Sequence, residues 1–122
     1  MGITRILIAL TGGLALAMIV ALAQAPPSSG KDIFEKRCTG CHSLENQRAG
    51  PKLRGVYGRK AGTVEGFPYS DELKASGAIW DAATLDKWLT DPEAMVPGND
   101  MAFRLIKPDE RAAIIEFLRT QR

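Results

Sequence analysis

Both cysteines and the only histidine of this 122-residue chain stand in one short stretch, KRCTGCHSLENQRAGPKL, residues 36–53. Two residues separate Cys38 from Cys41, and His42 follows directly. Such a set could grip a zinc ion, cycle as a redox dithiol, or hold a covalently attached haem. A closed zinc site needs four Cys or His ligands; this chain offers two Cys and one His, with no carboxylate spaced to complete the set. A disulfide oxidoreductase places its Cys-x-x-Cys near a βαβ pattern, yet no strand pattern precedes Cys38 and a helical pattern leads into it. A structural disulfide would account for the two thiols and leave His42 unexplained. The C-x-x-C-H signature of haem attachment accounts for every residue. Cys38 and Cys41, one helical turn apart, can add to the two vinyl groups along one porphyrin edge, and His42 then falls beneath the ring as an axial iron ligand.

A second axial ligand must be something other than histidine. Met95 and Met101 are the methionines outside the apolar N-terminal segment. A methionine is ordinarily a gap-filler of the core, but MVPGNDMAF sets Met101 in a Pro-Gly turn, a poor place to bury a core side chain. Met95 follows the helix stop at Asp91-Pro92 too closely to swing as freely. Met101 is the expected ligand.

Helices must position these groups. The first opens at Ser29, whose S-x-x-D pattern with Asp32 resembles a capping box, and runs through Ile33 and Phe34 to Cys38. A second follows Asp81, with Leu85, Trp88 and Leu89 on one face. A third begins at Pro108, with acids in its first turn and Arg119 and Arg122 at its end, as the helix dipole favours. It is expected to bury Ile114, Phe117 and Leu118. A short helix is expected near Asp71–Ala75. Glycine and proline punctuate residues 46–68 too densely for helix or sheet, and a structureless loop beyond about 12–15 residues is uncommon in a compact domain. A small all-helical chain with such a loop also has a thin core. Both difficulties are relieved if the loop wraps a large apolar cofactor.

Arg5 precedes ILIALTGGLALAMIVALA, residues 6–23, which carries no charge. A positive start, an apolar run and a small-residue cleavage site read as a secretory signal peptide. Cleavage is expected after Ala23, because the competing site would place Pro26 beside the cut. The alternative is an uncleaved membrane anchor, for which 18 residues reach the lower end of the roughly 17–25 a bilayer span needs. The organisation is therefore a signal peptide over 1–23, a linker over 24–29 and one domain over 30–122, exported to a bacterial periplasm or its equivalent. Removing Arg5 leaves 15 basic and 14 acidic side chains, no nucleic-acid footprint. Residues 31–60 hold eight basic and three acidic side chains, and residues 61–100 two and eight. Such a split can orient an encounter with a charged partner, though solvated surfaces commonly show it.

Over residues 30–120 the sequence resembles the class I c-type cytochromes, and in particular the short soluble cytochromes related to mitochondrial cytochrome c. The likeness rests on GKDIFEKRCTGCH, GPKLRGVYGRKAG, GFPYS, GAIW, VPGNDMAF and DERAAIIEFL, in that order. It implies an all-α cytochrome c fold of three to five short helices around one haem c, with thioethers at Cys38 and Cys41 and iron ligands His42 and Met101. It further implies that the Pro51 carbonyl accepts the Nδ1–H of His42. Arg59, Tyr69 and Trp80 would lie by the haem propionates, and Gly30 and Phe34 would pack on Ile114 and Phe117. Trp88 stands where such proteins usually have a tyrosine near the methionine sulfur. Asn99 and Asp100 replace the usual Thr-Lys, and Glu93 and Ala94 replace lysines of the basic ring that docks on acidic partners, so the mitochondrial partners do not carry over.

With two protein ligands the iron has no open position, which points to outer-sphere electron transfer rather than to an enzyme. The soft thioether favours Fe(II) and raises the potential, and a dry pocket acts the same way. The expected function is a monomeric, high-potential one-electron carrier between a quinol-oxidising complex or periplasmic dehydrogenase and a terminal oxidase or other acceptor. A cytochrome subunit of a dehydrogenase complex is the alternative, and a haem enzyme with a detachable methionine is a further one.

Overall fold

The computed structural model describes residues 28–122. The expected signal peptide, its cleavage site and most of the linker lie outside the described residues. Five short helices and no strand make up the described chain, with one isolated antiparallel bridge between Lys60 and Ile79. None of these helices is long and apolar enough to cross a membrane.

Helix α1 (Gly30–Ile33) starts as its capping box dictates. The Ser29 hydroxyl accepts from the Asp32 N–H, and the Asp32 carboxylate accepts from the Ser29 N–H. It then widens into a π-helical segment, Phe34–Cys38, in which the Thr39 N–H reaches the Phe34 carbonyl. Helix α2 (Asp71–Ala75) is capped by the Ser70 hydroxyl. Helix α3 (Ala82–Thr90) is capped by Asp81 and buries Leu85, Trp88 and Leu89. Helix α5 (Pro108–Thr120) begins with Pro108 and buries Arg111, Ile114, Ile115 and Leu118. Phe117, expected in that core, is only partly buried and packs against it. Helix α4 (Pro92–Met95) lies where the sequence indicates only a stop. Asp91 ends α3, and its carboxylate then accepts the Ala94 N–H to start the next turn. Residues 46–68 form turns and bends.

Helix α5 packs on both α1 and α3. The α1–α5 crossing is close because Gly30 has no side chain: a Cβ there would lie 2.2 Å from the Ala113 carbonyl oxygen and 2.6 Å from the Phe117 Cβ. Beside it the Phe34 and Phe117 rings stack at 5.4 Å between centroids, tilted by 40°. Gly30→Ala sets helix propensity, a gain of about 0.5–1 kcal/mol, against overpacking, a cost of about 1–3 kcal/mol. The clash is with backbone, so overpacking wins. A lower denaturant midpoint is expected for Gly30→Ala than for wild type; an unchanged or higher one would show that the crossing opens freely.

Candidate functional site

The end of the π-helical segment, the turn after it, the glycine-rich loop, the faces of α3 and α5 and residues 100–103 line a cavity of about 520 Å3, within the roughly 300–1,000 Å3 of small-ligand and cofactor sites. Its wall is mainly apolar, including Leu53, Val56, Leu85 and Ile114. Cys38, Cys41, His42 and Met101 all line it, as do Arg59, Tyr69 and Trp80. Met95 packs against the core outside this wall. One cavity thus brings together every residue that the sequence reading placed at the site.

The π-helical segment delivers Cys38, and a tight turn follows, in which the N–H groups of Cys41 and His42 both donate to the Cys38 carbonyl. Both thiols are free. Burial pushes the Cys38 thiol up to about 11, the opposite of the depressed pKa that makes a cysteine a redox nucleophile. Cys38 is a partly buried thiol lining the cavity, not an activated one.

His42 has a single orientation. Its Nδ1 lies 2.8 Å from the Pro51 carbonyl oxygen, and a carbonyl can only accept, so Nδ1 carries the proton and Nε2 keeps its lone pair. Burial holds the imidazole pKa below its ordinary value, outweighing the opposite effect of the Pro51 bond. The ring is therefore a neutral donor, the form that binds metals. Gly50 is the reason the loop can approach so closely. A Cβ at this buried position would lie 2.3 Å from Cε1 and 2.6 Å from Nδ1 of His42. The loop is fixed in turn by the Gly50 N–H, which donates to the Cys41 carbonyl at 2.8 Å.

Met101 enters from the loop after α4. The indole N–H of Trp88, on α3, donates to its sulfur at 3.2 Å. An indole nitrogen can only donate, so this bond has one polarity. The Trp80 and Trp88 rings pack at 5.3 Å between centroids, which holds Trp88 in place.

A third corner is polar. The half-buried Arg59 donates to the carbonyls of Lys52 at 3.0 Å and Arg54 at 3.3 Å, and burial lowers its pKa. The Tyr69 hydroxyl oxygen accepts the Val64 N–H at 3.2 Å, which leaves its own proton to donate. This corner suits carboxylates on a bound group, since a buried cation needs a counter-charge. An apolar slot, two thiols at one edge, a neutral imidazole, a thioether and a cationic corner together fit a haem c and its propionates.

Some of the site was not read from the sequence. The Gly50 contact with His42 joins residues eight apart and has no local signature beyond its place before Pro51. The Glu93 carboxylate accepts the Gly98 N–H, and the Arg111 guanidinium donates to the Leu105 and Ile106 carbonyls; neither tie has a sequence signal, because each joins a side chain to backbone groups that no local pattern marks.

The family model described as cytochrome c matches residues 27–122. Cytochrome c2 iso-2 of Magnetospirillum molischianum is 51% identical over 86 residues, 68% of this chain and 89% of that protein. Cytochrome c2 of Rhodomicrobium vannielii is 43% identical over 118 residues, covering 93% of this chain and 94% of its own. Among solved structures, cytochrome cH from Methylobacterium extorquens superposes with a TM-score of 0.72 at 41% identity, over 79% of this chain and 99% of that one.

Gly50→Ala is expected to force the imidazole out of its present orientation and break the Pro51 bond. The overpacking cost is about 1–3 kcal/mol, and the slowly exchanging Nδ1–H resonance of His42 should disappear from the NMR spectrum. A variant that keeps this resonance would show that the loop yields instead of the ring.

Proposed function

The chain belongs to the cytochrome c family, and from that premise we propose that it is a one-electron carrier whose haem iron is ligated by His42 and Met101. Haem c is bound covalently through Cys38 and Cys41, and supplies the Fe(III)/Fe(II) couple. The observation that carries the proposal is the convergence of His42 and Met101 on one mostly apolar cavity, each fixed by a hydrogen bond to a neighbouring residue of its wall.

The chain's own residues do the remaining work. Pro51 holds the proton on Nδ1 of His42, so the other nitrogen is free to donate and its donor strength rises. The Met101 thioether is soft and neutral, and favours the reduced iron. Trp88 draws electron density from that sulfur through its N–H, which works in the same direction. The apolar wall excludes water and disfavours the more charged oxidised site. Both ligands are held by groups that need not move when one electron arrives. Such a site passes electrons with little rearrangement and leaves no open position for bond-making chemistry.

The leader read over residues 1–23 supports export, to a bacterial periplasm. There the carrier would move, as a monomer, between a quinol-oxidising complex or dehydrogenase and a terminal acceptor. Glu93 and Asp100 on the methionine side, where the mitochondrial relatives have lysines, argue for partners other than the acidic mitochondrial ones.

Two measurements test this reading. Met101→Ala should abolish the weak far-red absorption band of methionine ligation in the oxidised protein and open the iron to cyanide. An unchanged spectrum would move the ligand elsewhere, Met95 first. Trp88→Phe should keep the far-red band while lowering the reduction potential by roughly 20–60 mV, the worth of one net hydrogen bond of about 0.5–1.5 kcal/mol in a one-electron couple. Trp88→Tyr, which restores a donor, should recover part of the shift. A potential unchanged in Trp88→Phe would rule the indole out as a tuning group.

A further inference from the structure

The loop that carries Met101 is tied on both sides of the methionine by the two acids that flank Pro92. Before Met101, both carboxylate oxygens of Glu93 accept from the Gly98 N–H at 3.1 Å, and one also accepts from the Asn99 amide at 3.4 Å. Asn99 then passes the restraint on: its Oδ1 accepts the Met101 N–H at 2.7 Å, while its Nδ2 donates to the Val96 carbonyl at 2.8 Å. After Met101, the Arg104 guanidinium pairs with the second oxygen of Asp91 at 2.8 Å. The next residue, Leu105, donates its N–H to the Leu89 carbonyl at 2.7 Å.

Helix α4 aims these acids. It has four residues, too few to persist alone. Its hold comes from Pro92, whose side chain is among the most fully buried of the described residues, and from its Asp91 cap. The turn thus presents Glu93 to the segment before the methionine and Asp91 to the segment after it.

We infer that Glu93, together with the Asp91–Arg104 pair, is a positioning clamp that keeps the Met101 sulfur from leaving the site. Detachment of the sulfur requires the loop to swing, and the swing breaks these bonds together. The inference rests on the reading of Met101 as an iron ligand. Neither acid is a ligand itself.

The test uses the oxidised holoprotein and titrates it with imidazole, which can reach the iron only when Met101 is detached. Its apparent affinity is then the intrinsic affinity reduced by the fraction of molecules in the detached state. Glu93→Ala should raise that affinity about three- to tenfold, the scale of one net hydrogen bond on an exposed surface. Glu93→Gln, which keeps an acceptor without the charge, should fall between it and wild type. Arg104→Gln probes the other side without disturbing the α4 cap and should also raise the affinity. Glu116→Ala removes a similarly exposed acid from an ion pair on α5 and should leave it unchanged. Denaturation of the same variants separates positioning from general loosening. An affinity for Glu93→Ala within twofold of wild type, or a rise that merely tracks the change in the unfolding equilibrium, overturns the clamp. Met101→Ala tells the two failures apart: if it binds imidazole no better than wild type, Met101 is not the displaced ligand, and the ligand assignment and the clamp fall together. If it binds imidazole tightly while Glu93→Ala does not, only the clamp falls.

Discussion

The bond from the His42 imidazole to the Pro51 carbonyl is the constraint on which the rest of the site depends. Together with the backbone bonds from Gly50 to Cys41 and from Leu53 to Ser43, it joins the turn after the π-helical segment to the glycine-rich loop. At 2.8 Å it fixes both the proton and the ring plane, so Nε2 is presented in one direction. The bond forms only because Gly50 passes hard against the imidazole face, where any Cβ would collide. The loop in turn can be long and irregular because it is anchored there, and again where the Ala61 N–H meets the Ala78 carbonyl and Trp80 bonds to Arg59. Anchoring replaces regular secondary structure as the source of order.

The opposite wall is built on a different principle. His42 is held by a rigid backbone acceptor, whereas Met101 sits on a loop whose restraints are mostly side chains: Asn99, Glu93, Arg104 and Trp88. Arg111 extends the pattern. Its guanidinium is buried, bonds to the carbonyls of Leu105 and Ile106, and pairs with Asp86 on α3 at 2.7 Å. A buried cation without partners would cost several kcal/mol, so the loop carbonyls and Arg111 need one another. The histidine wall is therefore the fixed reference of the site, and the methionine wall is the one that substitutions can tune.

The sequence made the capped starts and the attachment motif legible because each is written in neighbouring residues. Ser29 with Asp32, Asp81 before Leu85 and Pro108 with its acids carry their own physical reasons, and the helices begin there. Cys38, Cys41 and His42 are likewise a local pattern. Met101 required a longer argument, from its Pro-Gly loop. What stayed hidden was whatever depends on distance in space. Asp91-Pro92 reads as a stop, because nothing local shows that Asp91 both ends α3 and caps α4. Nothing local marks Arg111 as buried, because the carbonyls that receive it belong to a loop. The π-helical widening before Cys38 also has no signature in residue type.

The rim of the cavity bears on how such a protein meets its partners. Arg37 and Asp100 both line the cavity, and Glu93 of α4 and Arg104 of the methionine loop stand exposed. Exposed charges of both signs are largely screened at a distance beyond the Debye length, about 8 Å at physiological salt. The whole chain, with a formal charge of +2, adds little steering. The Ile106 side chain, three residues beyond Phe103 of the cavity wall, is largely exposed. A carrier must also let its partner go. Weak, mixed contacts around a fixed redox centre suit fast release, because exposed charges act mainly on the rate of encounter while buried, hydrogen-bonded pairs slow dissociation.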